Sequence, residues 1–79
     1  MKLLVRNLSR STTEQEIRTL FSTHGSVTEC DLVLDQKTGK SKGFAFVIMP
    51  NEREAKSAIS TLHETRVASN RIRVKTAQT

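Results

Sequence analysis

Lys42-Gly43-Phe44-Ala45-Phe46-Val47-Ile48-Met49 places two aromatic rings and a lysine on one face of a predicted strand. Side chains alternate along a strand, so Lys42, Phe44, Phe46 and Ile48 share one side, and Gly43, Ala45, Val47 and Met49 share the other. Apart from the lysine, both sides are apolar. A strand of that kind normally sits between two layers, so the fold depends on whether the remaining sequence holds enough helix to cover both.

Toward the C-terminus, Pro50 stops this strand and Asn51 is placed to cap a helix whose Ala55, Ala58, Ile59 and Leu62 form a narrow apolar stripe. His63 to Asn70 is a connector with a short extended piece around Arg66 and Val67. Arg71 to Lys75 then alternates as a last strand, with Ile72 and Val74 inward and Arg71, Arg73 and Lys75 outward. Toward the N-terminus, residues Asp35 to Ser41 read as a turn in which Asp35 bonds forward to the backbone and Gly39 takes positive φ. The β-branched content of Val27 to Leu34, after Gly25-Ser26, predicts a strand leading into it. Ile17, Leu20 and Phe21 form the buried stripe of an earlier helix. Its start is marked by two overlapping capping boxes, Thr13 with Glu16 and Ser11 with Glu14, and His24-Gly25 ends it with glycine as a left-handed cap. Lys2 to Asn7 reads as a first strand, closed by the turn Asn7-Leu8-Ser9-Arg10.

The resulting order is β-α-β-β-α-β, an α+β fold of ferredoxin-like topology in a single domain over residues 1–79. Helices that join parallel strands by right-handed crossovers land on the same side of the sheet. Two narrow stripes then cover one face and leave the one with Phe44, Phe46 and Ile48 to solvent, a patch that a soluble monomer rarely keeps without use. Pairing of two copies through that face is opposed by its basic rim, so a monomer is expected.

The 79 residues carry a formal net charge of +5, which favours an anionic partner. Lys2, Arg6, Arg10, Lys37, Lys40, Lys42, Arg71, Arg73 and Lys75 fall on predicted strands and their loops, against Glu29, Asp31 and Asp35. The two predicted helices are slightly acidic, with Glu14, Glu16, Glu52 and Glu54 against Arg18, Arg53 and Lys56. The positive field therefore belongs to the sheet. Cys30 is the single cysteine, so no disulfide forms within the chain and a reducing, cytoplasmic setting is expected. With His24 and His63 it offers none of the paired spacings of a metal site. The run Leu3-Leu4-Val5 is too short for a signal peptide, and Phe44 to Met49 is too short to span a bilayer. Neither histidine, nor Cys30, nor the two aspartates assemble into a nucleophile and base, so no enzyme activity, cofactor or metal is expected.

Flat rings on a positively framed sheet suit stacking on nucleobases, because every base has a π-face and the surrounding cations meet the phosphates. Lys42 beside the rings, Arg6 on the first strand, and Arg71, Arg73 and Lys75 on the last supply those cations. The octamer Lys42 to Met49 resembles the RNP1 signature of the RNA recognition motif family at its basic, Gly, aromatic, small, aromatic and Val positions, and departs from it at the last. Leu3-Leu4-Val5-Arg6-Asn7-Leu8 resembles the partner RNP2 signature. The likeness covers essentially the whole chain. It implies a four-stranded antiparallel sheet with the two signature segments as adjacent central strands and two helices behind. It also implies that Phe44 and Phe46 contact base and ribose, that Lys42 meets a phosphate, and that Arg73, Lys75 and the residues from Ala77 onward frame the site. Lys37 and Lys40 would come from the loop that closes on RNA in the family. The expected partner is single-stranded RNA, with single-stranded DNA a second candidate, in post-transcriptional RNA handling.

Two departures matter. Leu4 stands where the family usually has an aromatic, so a stacking platform is replaced by dispersion alone. Met49 stands in place of an inward aromatic, a packing change. Asp31 falls on the open face as a solvated edge charge. The short chain, starting at Met1 just before its first strand, also resembles the stand-alone bacterial members. The rival reading is a domain of the same family that binds a protein partner, against which Phe44, Phe46 and Lys42 are all retained.

Overall fold

The computed structural model describes residues 1–77. In chain order it contains β1 (Lys2–Arg6), α1 (Glu14–Ser22), β2 (Glu29–Leu34), β3 (Ser41–Ile48), α2 (Glu52–Leu62), β4 (Arg66–Val67), β5 (Asn70–Arg71) and β6 (Arg73–Thr76). A four-stranded sheet runs β2-β3-β1-β6, every neighbouring pair antiparallel, and β4 and β5 form a separate hairpin.

Alternation sorts the sheet into a dry and a wet side. Leu3 pairs with Val47 and Val5 with Ala45 between β1 and β3, while Cys30 pairs with Val47 and Val74 with Val5 toward the edges. All of these are buried, and they share one core with Ile17 and Phe21 of α1 and Ala55, Ala58 and Leu62 of α2. Both helices therefore lie on one side. Met49 is buried there too, so its departure from the aromatic pattern is met in the core.

Of the two overlapping capping boxes, the one at Thr13 forms. The Thr13 side chain accepts from the Glu16 N–H at 3.2 Å, and the Glu16 carboxylate accepts from the Thr13 N–H at 3.0 Å. Asn51 caps α2 by accepting from the Glu54 N–H at 3.0 Å. The expected glycine cap at the end of α1 is not what forms. The Ser22 and Thr23 hydroxyls donate to the carbonyls of Arg18 and Leu20 at 2.6 and 2.7 Å, so the last turn closes on its own side chains. Gly25, at φ 157, serves packing instead. A Cβ there would lie 2.6 Å from Cβ of Glu54, whose carboxylate accepts from the Ser26 N–H at 3.2 Å.

The last strand also differs from expectation, because Arg71 does not belong to it. The Ile72 N–H donates to the Thr65 carbonyl at 2.9 Å and the Glu64 N–H donates to the Ile72 carbonyl at 2.7 Å, so residues up to Ile72 are held by the connector. Only from Arg73 does the chain pair with β1. The hairpin turn is made by Ala68 and Ser69, both at positive φ (50° and 72°), the geometry of a two-residue type I′ loop. Neither residue is a natural occupant of that conformation. Ala68→Asn combined with Ser69→Gly should raise unfolding stability by about 1 kcal/mol in a urea titration, from relieved left-handed strain; no gain would mean that the turn tolerates its present residues without strain.

Candidate nucleic-acid interface

The side of the sheet away from the helices is organised in rows by the strand register. Asp31, Phe46, Leu4 and Lys75 stand opposite one another across β2, β3, β1 and β6. Glu29, Ile48 and Lys2 form the row on one flank, and Arg6 pairs with Arg73 on the other, where Arg6 and Phe44 line one depression. The expected RNP strands are thus the central pair, and the rings meet the cations of β1 and β6 on one surface.

Phe44 and Phe46 are half-buried, with ring centroids 6.1 Å apart and planes at 89°. Edge-to-face contact of this kind is favourable by about 0.5–1.5 kcal/mol, and it limits the surface chemically. Perpendicular rings cannot both lie flat against one base. One can stack while the other presents its edge or face to a neighbouring sugar. Lys2 was not among the site residues read from the sequence, yet its Nζ sits 4.5 Å from the Phe46 ring centroid, in cation–π contact. Strand alternation alone puts Lys2 on this face. Its position beside Phe46 follows only from the pairing of Lys2 with Ile48.

Charge on the open face is graded. Glu29 and Asp31 lie on the β2 edge, both exposed, whereas Arg6, Arg73 and Lys75 lie on β1 and the opposite edge strand β6. Among the described residues the ion pair between charged side chains is Lys56–Glu52, on α2 and away from this face, and the His63 ring lies 3.8 Å from Glu64. The cations of the sheet are therefore free to meet an external anion.

Not every expected residue gathers here. Lys37 and Lys40 are exposed on the loop between β2 and β3, outside the rows. Arg71 lies in β5 rather than on the sheet, its carbonyl accepting from the Asn7 side-chain amide at 2.8 Å, and it lines a shallow depression with Glu64 and Arg73. Ala77 continues β6, its N–H donating to the Lys2 carbonyl at 2.8 Å; the expectation for the residues beyond it falls outside the described residues. His63 is exposed, but its Nδ1 accepts from the Val74 N–H at 3.0 Å and so occupies the outer edge of β6. Cys30 is buried with its Sγ 3.7 Å from the Glu14 carbonyl; burial, and then the nearby Glu14 charge, pushes the thiol pKa up, away from thiolate chemistry. Among the described residues no group of three or more His, Cys, Asp or Glu side chains is arranged to hold a metal, and no helix is long and apolar enough to cross a membrane.

An antiparallel sheet with helices on one side and aromatic rings framed by cations on the other defines the architecture. The family model described as RNA recognition motif matches residues 3–73, and the chain belongs to that family. It is 41% identical over 76 residues to Glycine-rich RNA-binding protein 1 of Mycosarcoma maydis, an alignment covering 96% of this chain and 43% of that relative. The chain thus spans less than half the length of that fungal protein. Among solved structures it matches RNA Binding Protein PG1 with a TM-score of 0.95 and 34% identity, over 98% of this chain and 93% of that one. It matches a chain of an Sxl-lethal protein/RNA complex with a TM-score of 0.94 and 33% identity, over 99% and 47%.

The loop carrying Lys37 and Lys40 is pinned by Asp35, whose carboxylate accepts from the backbone N–H groups of Lys37 and Thr38 at 2.8 and 3.0 Å. The Thr38 bond first, and then that of Lys37, holds its pKa below the ordinary value of 3.8. Because the folded pKa is depressed, the loop's stabilisation is fully present above 3.8 and is lost as pH falls through the lower folded value. In an NMR titration the Lys37 and Thr38 amides should shift together below pH 3.8, and Asp35→Asn should abolish that transition. A transition at or above the ordinary value would remove the proposed pinning.

Proposed function

We propose that this domain binds single-stranded RNA on its open sheet face, without catalysis, in post-transcriptional RNA handling in the cytoplasm. The observation that carries the reading is the row Phe46–Leu4–Lys75, with Phe44 next to Phe46 and the Arg6–Arg73 pair on its flank, which sets stacking rings, an apolar platform and cations on one wet surface. Its support from relatives is that the similar fungal protein is named as RNA-binding and that a similar solved chain was determined with RNA.

Magnitudes divide the work. A base stacked on an aromatic ring contributes about 1–3 kcal/mol, whereas micromolar affinity needs about 8 kcal/mol. Two rings in edge-to-face contact cannot reach that figure alone, and Leu4 contributes less than a ring. Phosphate contacts from Arg6, Lys42, Arg73 and Lys75 make up the difference. Single-stranded DNA also offers stackable base faces and phosphates and is expected to compete.

Phe44→Ala and Phe46→Ala should each leave the domain folded, and together they should weaken binding of a short single-stranded RNA by more than tenfold in fluorescence anisotropy. Unchanged affinity would refute the face assignment, and amide shifts confined to helix residues such as Glu16 or Arg53 would point to a protein partner. Neutralising about three to five phosphates gives a slope of log affinity against log salt of roughly −2 to −3.5. A flat dependence would remove the phosphate role of the cations.

A further inference from the structure

Past Phe44 the sheet ends in an open groove of about 560 Å³, a volume within the usual range of small-ligand sites. Its walls come from three separate segments: the loop after β1, the start of β3, and the β4–β5 hairpin. Arg6, Arg10, Lys42 and Phe44 line it with Asn7 and Asn70, and no carboxylate does. None of the three cations is in a salt bridge among the described residues.

Backbone geometry shapes this groove. Asn7, at φ 59°, turns the chain sharply off the end of β1, a conformation asparagine tolerates. The Leu8 N–H then donates to the Gly43 carbonyl at 2.8 Å, clamping the loop onto β3. Gly43 sits at φ 86°, and a Cβ there would lie 3.3 Å from the Leu8 carbonyl oxygen and 3.6 Å from Nε of Arg10. The glycine therefore permits the positive φ and the close Leu8 carbonyl of the clamp, and Arg10 Nε stands at ordinary contact distance from the start of β3. On the far side Asn70 donates to the Asn7 carbonyl at 3.2 Å, and Asn7 donates to the Arg71 carbonyl at 2.8 Å, which ties the hairpin to the loop.

We infer that this groove is a phosphodiester subsite beyond the aromatic platform, in which Arg10 is the added anchor and Arg6 and Lys42 share the charge. The strand of nucleic acid leaves the sheet past Phe44 and places one further phosphate against the Arg10 guanidinium. That group's planar donors suit phosphate oxygens better than an ammonium does. This rests on the RNA-binding reading and adds one contact to it.

The test uses labelled single-stranded RNAs of increasing length, from three to eight nucleotides, with the wild-type protein and Arg10→Ala, Arg10→Lys and Phe44→Ala. Wild-type affinity should climb with length until the groove is filled. Arg10→Ala should match wild type on the shortest RNAs, bind the longer ones several-fold more weakly, and show a salt slope shallower by about 0.7, the value for one single-strand phosphate. Arg10→Lys should restore the slope but only part of the affinity. Equal loss at all lengths, or an unchanged slope on long RNA, overturns the subsite while leaving the sheet site standing, provided Phe44→Ala still weakens binding. No binding of any RNA by the wild type overturns both.

Discussion

The pairing of β1 with β3, Leu3 against Val47 and Leu4 against Phe46, is the contact on which both halves of the molecule depend. Side chains have period two, so a slip of one residue between these strands would move an entire set to the wrong face. In the observed register the aliphatic set meets the helices and the aromatic and cationic set meets water. β2 and β6 add to the outer edges of this pair, so the central strands carry most of the open face and the edges set its charge.

Keeping Phe44 and Phe46 on a wet surface works against solubility, and the structure limits the exposure in two ways. The rings pack edge to face, each shielding part of the other, and the Lys2 ammonium lies over Phe46. A base that stacks on that side of Phe46 displaces a charge rather than bulk water alone. The same cations repel a second copy of the face, which keeps the patch available to an anion.

Local chemistry in the sequence was enough for the helix cap at Asn51, the Asp35 turn, and the side of the sheet on which the residues Lys42 to Ile48 fall, and it narrowed the first cap to Thr13 or Ser11. These depend on neighbours within a few positions along the chain. What was missed depends on contacts distant in sequence. Gly25 looked like a helix cap because glycine after a helix usually is one; its reason is Glu54, on the other helix. Arg71 looked like part of the last strand because Arg71, Arg73 and Lys75 alternate without a break, yet Thr65 and Glu64 hold Ile72 and divide the run. The groove at Arg10 has no signature in the chain at all. It exists because an asparagine turn, a glycine in β3 and a hairpin meet at one end of the sheet.

Leucine at position 4 changes how such a surface reaches its affinity. An aromatic there would add a stack that salt leaves largely untouched, whereas leucine leaves a larger share of the binding free energy to Arg6, Arg73, Lys75 and the cations beyond Phe44. Screening falls on that share alone. On the RNA-binding proposal, a site with two perpendicular rings and one aliphatic platform would draw more on the backbone than on the bases. The graded charge, acidic at β2 and basic at β6, would then draw such a strand toward β1 and β6.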